Sequence, residues 1–255
     1  YKDYSIFFKN CLKGVVDGEI SYCELGDKKS DVSILLVGGS RLAHWEPLFS
    51  YLGEEKKIKI IAATMRSCSF GYNVLQEKNC QDWNNKIINF ITNINPKPKI
   101  IVVNTSRSEH KDTIRKMGLE RGEYMPLGYI ENIKKIHTLG IPIVGIRINP
   151  VFDDPNTCLW RSRFDSDSQC KIKYSDSLLE SNPALKLKEM GLTNFYPVDF
   201  TNVMCSDGLC PLVFNGYLTM MDDSHFSASY ISYLAPVLVK SLDEQVGGIT
   251  KILEK

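Results

Sequence analysis

No stretch of this chain is long and apolar enough to cross a membrane as a helix, and the N-terminus lacks the positive-then-apolar pattern of an export signal. Tyr1 is not an initiator methionine, so the sequence reads as a piece of a longer protein. An excess of charge is missing too. With 31 basic and 30 acidic residues, the net charge of +1 builds no global field for nucleic acid or an anionic membrane. Nor does the chain contain an internal repeat or a glycine-rich phosphate loop. It has no C-x-x-C pair, and His44, His110, His137 and His225 do not flank the cysteines at ligand spacing, so zinc ranks well behind disulfides.

What is present is ordinary globular material. Hydrophobic content of 43%, charged content of 24% and 11 prolines argue against disorder, and 255 residues suffice for one full core. Eight cysteines fall into sequence neighbours: Cys11 and Cys23, Cys68 and Cys80, Cys158 and Cys170, Cys205 and Cys210. An even count spread over loops favours disulfides and an oxidising compartment. Spacing alone does not fix connectivity, so nearest-neighbour pairing is an expectation.

Apolar periodicity gives an alternating α/β order. Strands are expected near residues 32–37, 58–63, 99–103, 141–148 and 195–200. Helices are expected near 42–53, 80–94, 127–137, 177–191 and 227–242, with a short hairpin over 212–218. Residues 1–30 read as a peripheral N-terminal extension tethered by Cys11 and Cys23, ahead of a main domain over 31–255. The pattern predicts a three-layer α/β/α, flavodoxin-like sandwich with about five mostly parallel strands.

The first strand, Ile34-Leu35-Leu36-Val37, breaks at Gly38-Gly39 and delivers Ser40 to a strand-to-helix corner. Ligands bind at such corners in open α/β sheets. A serine hydroxyl needs a base, and a histidine base needs a third group to fix its tautomer. Asp222-Asp223-Ser224-His225 offers both near the far end of the chain, with Asp222 the better-spaced partner of His225. The same run is also a plausible cap for the helix beginning near Ser227. On the same sheet edge, Asn104 is placed to donate to an oxyanion or to form a turn. Gly71 can supply a second oxyanion N–H or serve as a plain loop glycine, and Arg66 can reach the site or be solvated.

Together these stretches resemble the SGNH hydrolase superfamily, and more closely the extracytoplasmic SGNH domain fused to bacterial acyltransferase-3 membrane proteins that O-acetylate surface glycans. The resemblance rests on Val37-Gly38-Gly39-Ser40 with His44-Trp45, Thr64-Met65-Arg66-Ser67-Cys68, Cys205 to Cys210, and Asp222 to Phe226. Where that family usually has Gly-Asp-Ser this chain has Gly-Gly-Ser, and its Gly-x-Asn-Asp block appears only as Val102-Val103-Asn104-Thr105. The resemblance implies a Ser40–His225–Asp222 triad and an oxyanion hole of the Ser40 N–H and Asn104. It also implies a preceding multi-pass membrane domain outside this sequence and a periplasmic setting. The acceptor would be a polysaccharide such as lipopolysaccharide O-antigen. No cofactor would be bound here, acetyl-CoA being the ultimate donor on the membrane domain's side. The irregular segment 149–177 is then the candidate acceptor contact, with Trp160 and Tyr174 either sugar-stacking surfaces or ordinary packing residues. A secreted carbohydrate esterase and a non-catalytic glycan-binding domain are the alternatives.

Overall fold

The computed structural model describes residues 3, 11–71, 77–108, 122–162 and 170–254. Its central sheet has six strands: β1 (Cys23–Gly26), β2 (Ser33–Gly39), β3 (Lys59–Met65), β4 (Ile100–Asn104), β5 (Ile143–Ile146) and β6 (Phe195–Val198). Their spatial order is β6-β5-β4-β2-β3-β1. Strands β2 to β6 run parallel, and β1 pairs antiparallel with β3. The chain reverses its winding between β2 and β4, so the open end of the sheet there forms the crevice typical of doubly wound folds.

All seven residues of β2 are buried, as a strand covered on both faces requires. Ile34 and Leu36 pack with Leu48, Phe49 and Leu52 of α2 (Glu46–Lys56) and with Tyr230, Leu234 and Leu238 of the C-terminal helix Ala228–Val246. Leu35 and Val37 face the opposite layer, built on α3 (Lys78–Asn93) and α4 (Leu127–His137). This is the expected three-layer arrangement. The C-terminal helix is α5 below, and α1 is the single turn Ser40–Ala43.

Three local differences from the sequence reading have plain causes. The N-terminal segment expected to be peripheral contributes the sixth strand, because Leu25 is buried in the core and β1 closes the β3 edge. The helix expected over 42–53 is broken at His44–Trp45, since Pro47, in the first turn of α2, has no N–H to continue the ladder from α1. The helix expected over 177–191 shrinks to Leu185–Glu189: Pro183 interrupts it, and Asn182 Oδ1 accepts the Ala184 N–H at 3.0 Å. Most of the polar run 162–168 and most of the 107–124 connection lie outside the described residues.

All four nearest-neighbour disulfides are formed: Cys11–Cys23, Cys68–Cys80, Cys158–Cys170 and Cys205–Cys210. By loop-closure entropy a bridge spanning a dozen residues stabilises by about 3 kcal/mol. The C-terminal edge of the sheet is held by a buried ionic cluster as well. Arg147, just past β5, donates to Glu123 from Nε (3.0 Å to Oε1) and Nη2 (2.6 Å to Oε2), and from Nη1 to Asp199 Oδ2 at 2.7 Å. Glu123 also accepts from Ser106 Oγ (2.7 Å) and the Leu179 N–H (2.9 Å). The cluster thereby joins the ends of β4, β5 and β6.

Candidate active site

Gly38 and Gly39 are required by close approach at the end of β2. A Cβ on Gly38 would lie 2.9 Å from Leu42 Cβ, and one on Gly39 only 2.0 Å from the Cys68 carbonyl oxygen. The space beside Gly39 is therefore taken by the 66–71 loop, which the Cys68–Cys80 bridge and Asn84 hold in place. This is why the acidic residue usual at this position in the resembling family has no room here. Gly39→Ala is expected to destabilise the fold by about 1–3 kcal/mol, the usual range for overpacking, and Gly39→Asp by more. Urea unfolding of the two variants checks this; an unchanged midpoint would refute the tight contact.

Beyond Gly39, α1 begins with Ser40. Its Oγ lies 2.8 Å from His225 Nε2, across 185 residues of sequence. On the other side of the ring, His225 Nδ1 is 2.9 and 2.8 Å from the two oxygens of Asp222. A proton on Nδ1 donated to Asp222 leaves Nε2 to accept the Ser40 hydroxyl. Asp222 also fixes its own turn, its Oδ1 accepting the N–H groups of Ser224 (2.9 Å) and His225 (2.7 Å). The turn is anchored from outside: the Phe152 N–H donates to the Asp223 carbonyl at 2.8 Å, and Asn149 Nδ2 to the Ser224 carbonyl at 3.0 Å. Capping of α5 falls instead to Ser227, whose side chain accepts the Tyr230 N–H.

Electrostatics follow the geometry. Burial would raise the Asp222 carboxyl, but the hydrogen bond and charge of His225 and the two turn N–H groups outweigh it and hold the pKa at about 2. Behind His225 sits His44, 3% exposed, with ring centroids 6.1 Å apart. Burial, then the charges of His225 and Arg41, push the His44 pKa well below 6.5 against the weaker pull of Asp222. His44 is thus neutral at neutral pH. With Trp45 and Phe226, whose rings lie 5.1 and 5.0 Å from it, it gives His225 an apolar backing.

Ser40 opens onto a cavity of about 250 Å³ that Asn104 also lines. Asn104 is buried at the end of β4, with Nδ2 3.5 Å from the Arg41 carbonyl. The Gly71 assignment needs correction: its N–H donates to Asn84 Oδ1 at 2.8 Å and is not aimed at the cavity. Arg66 is exposed, and it is Arg41 and Arg107 that line the cavity. Trp160 and Tyr174 do not line it. Trp160 stands 62% exposed on the helix Pro155–Ser162, and Tyr174 is partly buried against the core. Among the described residues, no group of three or more His, Cys, Asp or Glu side chains is placed to hold a metal.

Residues 10–240 match the family model described as the SGNH domain fused to AT3 domains. The chain belongs to that family. The SGNH domain is also similar in fold to a solved structure, the periplasmic domain of the lipopolysaccharide acetyltransferase of Salmonella ser. Paratyphi A. The TM-score is 0.57 at 16% identity, over 87% of this chain and 84% of that one. Comparison with curated proteins finds no match.

Several site residues of this SGNH domain were not singled out from sequence. Arg41 directly follows Ser40 and Arg107 follows Asn104 by three, so adjacency to the candidates was the available signal. Asn84 is less legible. It lies one turn beyond Cys80 on the buried face of α3, a polar residue where periodicity calls for an apolar one.

Proposed function

We propose that this SGNH domain is a serine-nucleophile O-acetyltransferase that moves acetyl onto a hydroxyl of an extracytoplasmic polysaccharide. The observation that carries the reading is the continuous hydrogen-bonded chain Ser40–His225–Asp222, opening onto a cavity. In the first half-reaction Ser40 Oγ attacks the acetyl carbonyl carbon while its proton passes to His225 Nε2. Asp222 stabilises the imidazolium. The oxyanion is held by the Ser40 N–H and the Asn104 side chain. Collapse expels the donor's leaving group, which takes the proton from His225, and leaves acetyl-Ser40. In the second half an acceptor hydroxyl gives its proton to His225 and attacks the acetyl carbonyl. Ser40 departs and recovers that proton.

Acetyl reaches this domain from the fused AT3 membrane domain, with acetyl-CoA as the ultimate cytoplasmic donor. Family membership and the fold of the acetyltransferase neighbour support transfer to a glycan such as O-antigen. Four disulfides support a periplasmic setting.

The test combines an aryl acetate donor with candidate polysaccharide fragments. Acetyl ester appearing on the glycan, dependent on Ser40, is expected; free acetate alone makes the domain an esterase. Full turnover by folded Ser40→Ala protein would sink the mechanism.

A further inference from the structure

Among the described residues, five that are not glycine take the left-handed backbone region: Asp17, Lys57, Ser67, Asp207 and Asn215. Four have a local reason. Asp17, Asp207 and Asn215 each open a two-residue turn that a glycine completes, and Lys57 caps the C-terminus of α2. Ser67, at φ +54°, is in no such turn or cap, and serine is not a residue that visits this region routinely. Glycine would take the same backbone without strain. A side chain held against the preference of its own backbone is a mark of function.

Its position says which function. Ser67 is exposed and lines the same cavity as Ser40 and Asn104. In the sheet β2 lies between β3 and β4, with Gly39 in register with Met65, so Ser67 comes to the cavity from the β3 side and Asn104 from the β4 side. The next residue, Cys68, holds the loop hard against Gly39. None of the described residues takes up the Ser67 hydroxyl in a hydrogen bond. We propose that this hydroxyl is a third oxyanion donor, which meets the acetyl carbonyl oxygen from the side opposite Asn104. This rests on the acetyl-transfer reading and adds a catalytic residue to it. As Ser40 Oγ bonds to the carbonyl carbon, the π pair moves onto oxygen, and Ser67 donates to that oxygen while keeping its own proton. Proton traffic through His225 is unchanged. A hydroxyl rotates about its C–O bond, so it can follow the oxygen from the trigonal to the tetrahedral centre and bind best where the charge is greatest. The loop that turns the Gly71 N–H away to Asn84 thus supplies a donor four residues earlier.

The experiment compares Ser67→Ala and Ser67→Gly with the unsubstituted protein on an aryl acetate, with urea unfolding of all three. Both variants are expected to lose about 10²- to 10³-fold in kcat, the scale of one oxyanion donor, with KM within about threefold. Ser67→Gly is expected to unfold at no lower urea concentration, because glycine relieves the strain. Activity and stability then move in different directions, which a structural role does not produce. The rate at which a fluorophosphonate labels Ser40, read by intact mass, makes the same comparison without turnover and is expected to fall by a similar factor. Rates within about threefold of the unsubstituted protein in both variants overturn the proposal. So does a loss confined to Ser67→Ala, which assigns the effect to the backbone, or a fall in kcat and urea midpoint together in Ser67→Gly. Full rates in the Ser67 variants beside an inactive Ser40→Ala protein sink this inference alone; turnover by Ser40→Ala sinks the transferase reading beneath it.

Discussion

Ser40→Ala and His225→Ala proteins are each expected to lose about 10⁴- to 10⁶-fold in kcat on an aryl acetate, and the double variant little more than either alone. In the proposed mechanism the two side chains act as one unit. Without His225 the Ser40 hydroxyl stays protonated and weakly nucleophilic; without Ser40 the base has nothing to activate. Asp222→Asn should cost about 10⁴-fold, because an amide at that position favours the wrong imidazole tautomer. Its effect should be flat with pH above about 4, since the carboxylate it replaces titrates near 2. Activity that is retained by the oxyanion hole alone sets the floor. Steady-state rates on proteins with matched unfolding curves read all of this directly. Losses that multiply in the double variant would mean that Ser40 and His225 act independently, contrary to their 2.8 Å contact.

Glu123→Gln is expected to remove about 3–5 kcal/mol of stability, the range for breaking a fully buried ion pair from one side. Glu123 and Arg147 have side chains 0% and 3% exposed. Once Glu123 is neutral, the partly exposed Asp199 is the charged partner that Arg147 keeps among the described residues. Arg147→Met on its own leaves the carboxylate buried with the Ser106 and Leu179 donors. The double variant Glu123→Gln/Arg147→Met should therefore lose clearly less than the sum of the singles. Urea unfolding of the four proteins gives the coupling. Additive losses would show that the pair does not act as a closed unit. Because Ser106 lies two residues beyond Asn104, the single variants should also loosen the Asn104 side of the cavity.

Much of this was legible in the sequence wherever the determinant is local. Buried β2 announces itself as an unbroken Ile-Leu-Leu-Val run, and the glycines after it mark the corner that presents Ser40. Asp222 and His225 are readable because three residues of turn are enough to bring their side chains together. The cysteines pair with their nearest neighbours for the same reason. What stayed hidden depends on distant partners. Cys23–Gly26 becomes a strand only because the β3 edge is open to it. Gly71 lost its expected role to Asn84, a helix residue 13 positions away. The crowding at Gly39 comes from a carbonyl 29 residues on, and Glu123 meets Arg147 only after β4 and β5 have paired. Spacing reveals chemistry within a turn, but not which loop will occupy the space left by a missing side chain.

The disulfides carry a consequence for biogenesis. Each bridge joins a cysteine to the next one in the chain, so none encloses or crosses another. A polypeptide threaded N-terminus first into an oxidising compartment would present these thiols in the order in which they pair. An oxidant that simply joins consecutive thiols as they arrive would then produce the native set, and maturation should depend little on a shuffling isomerase.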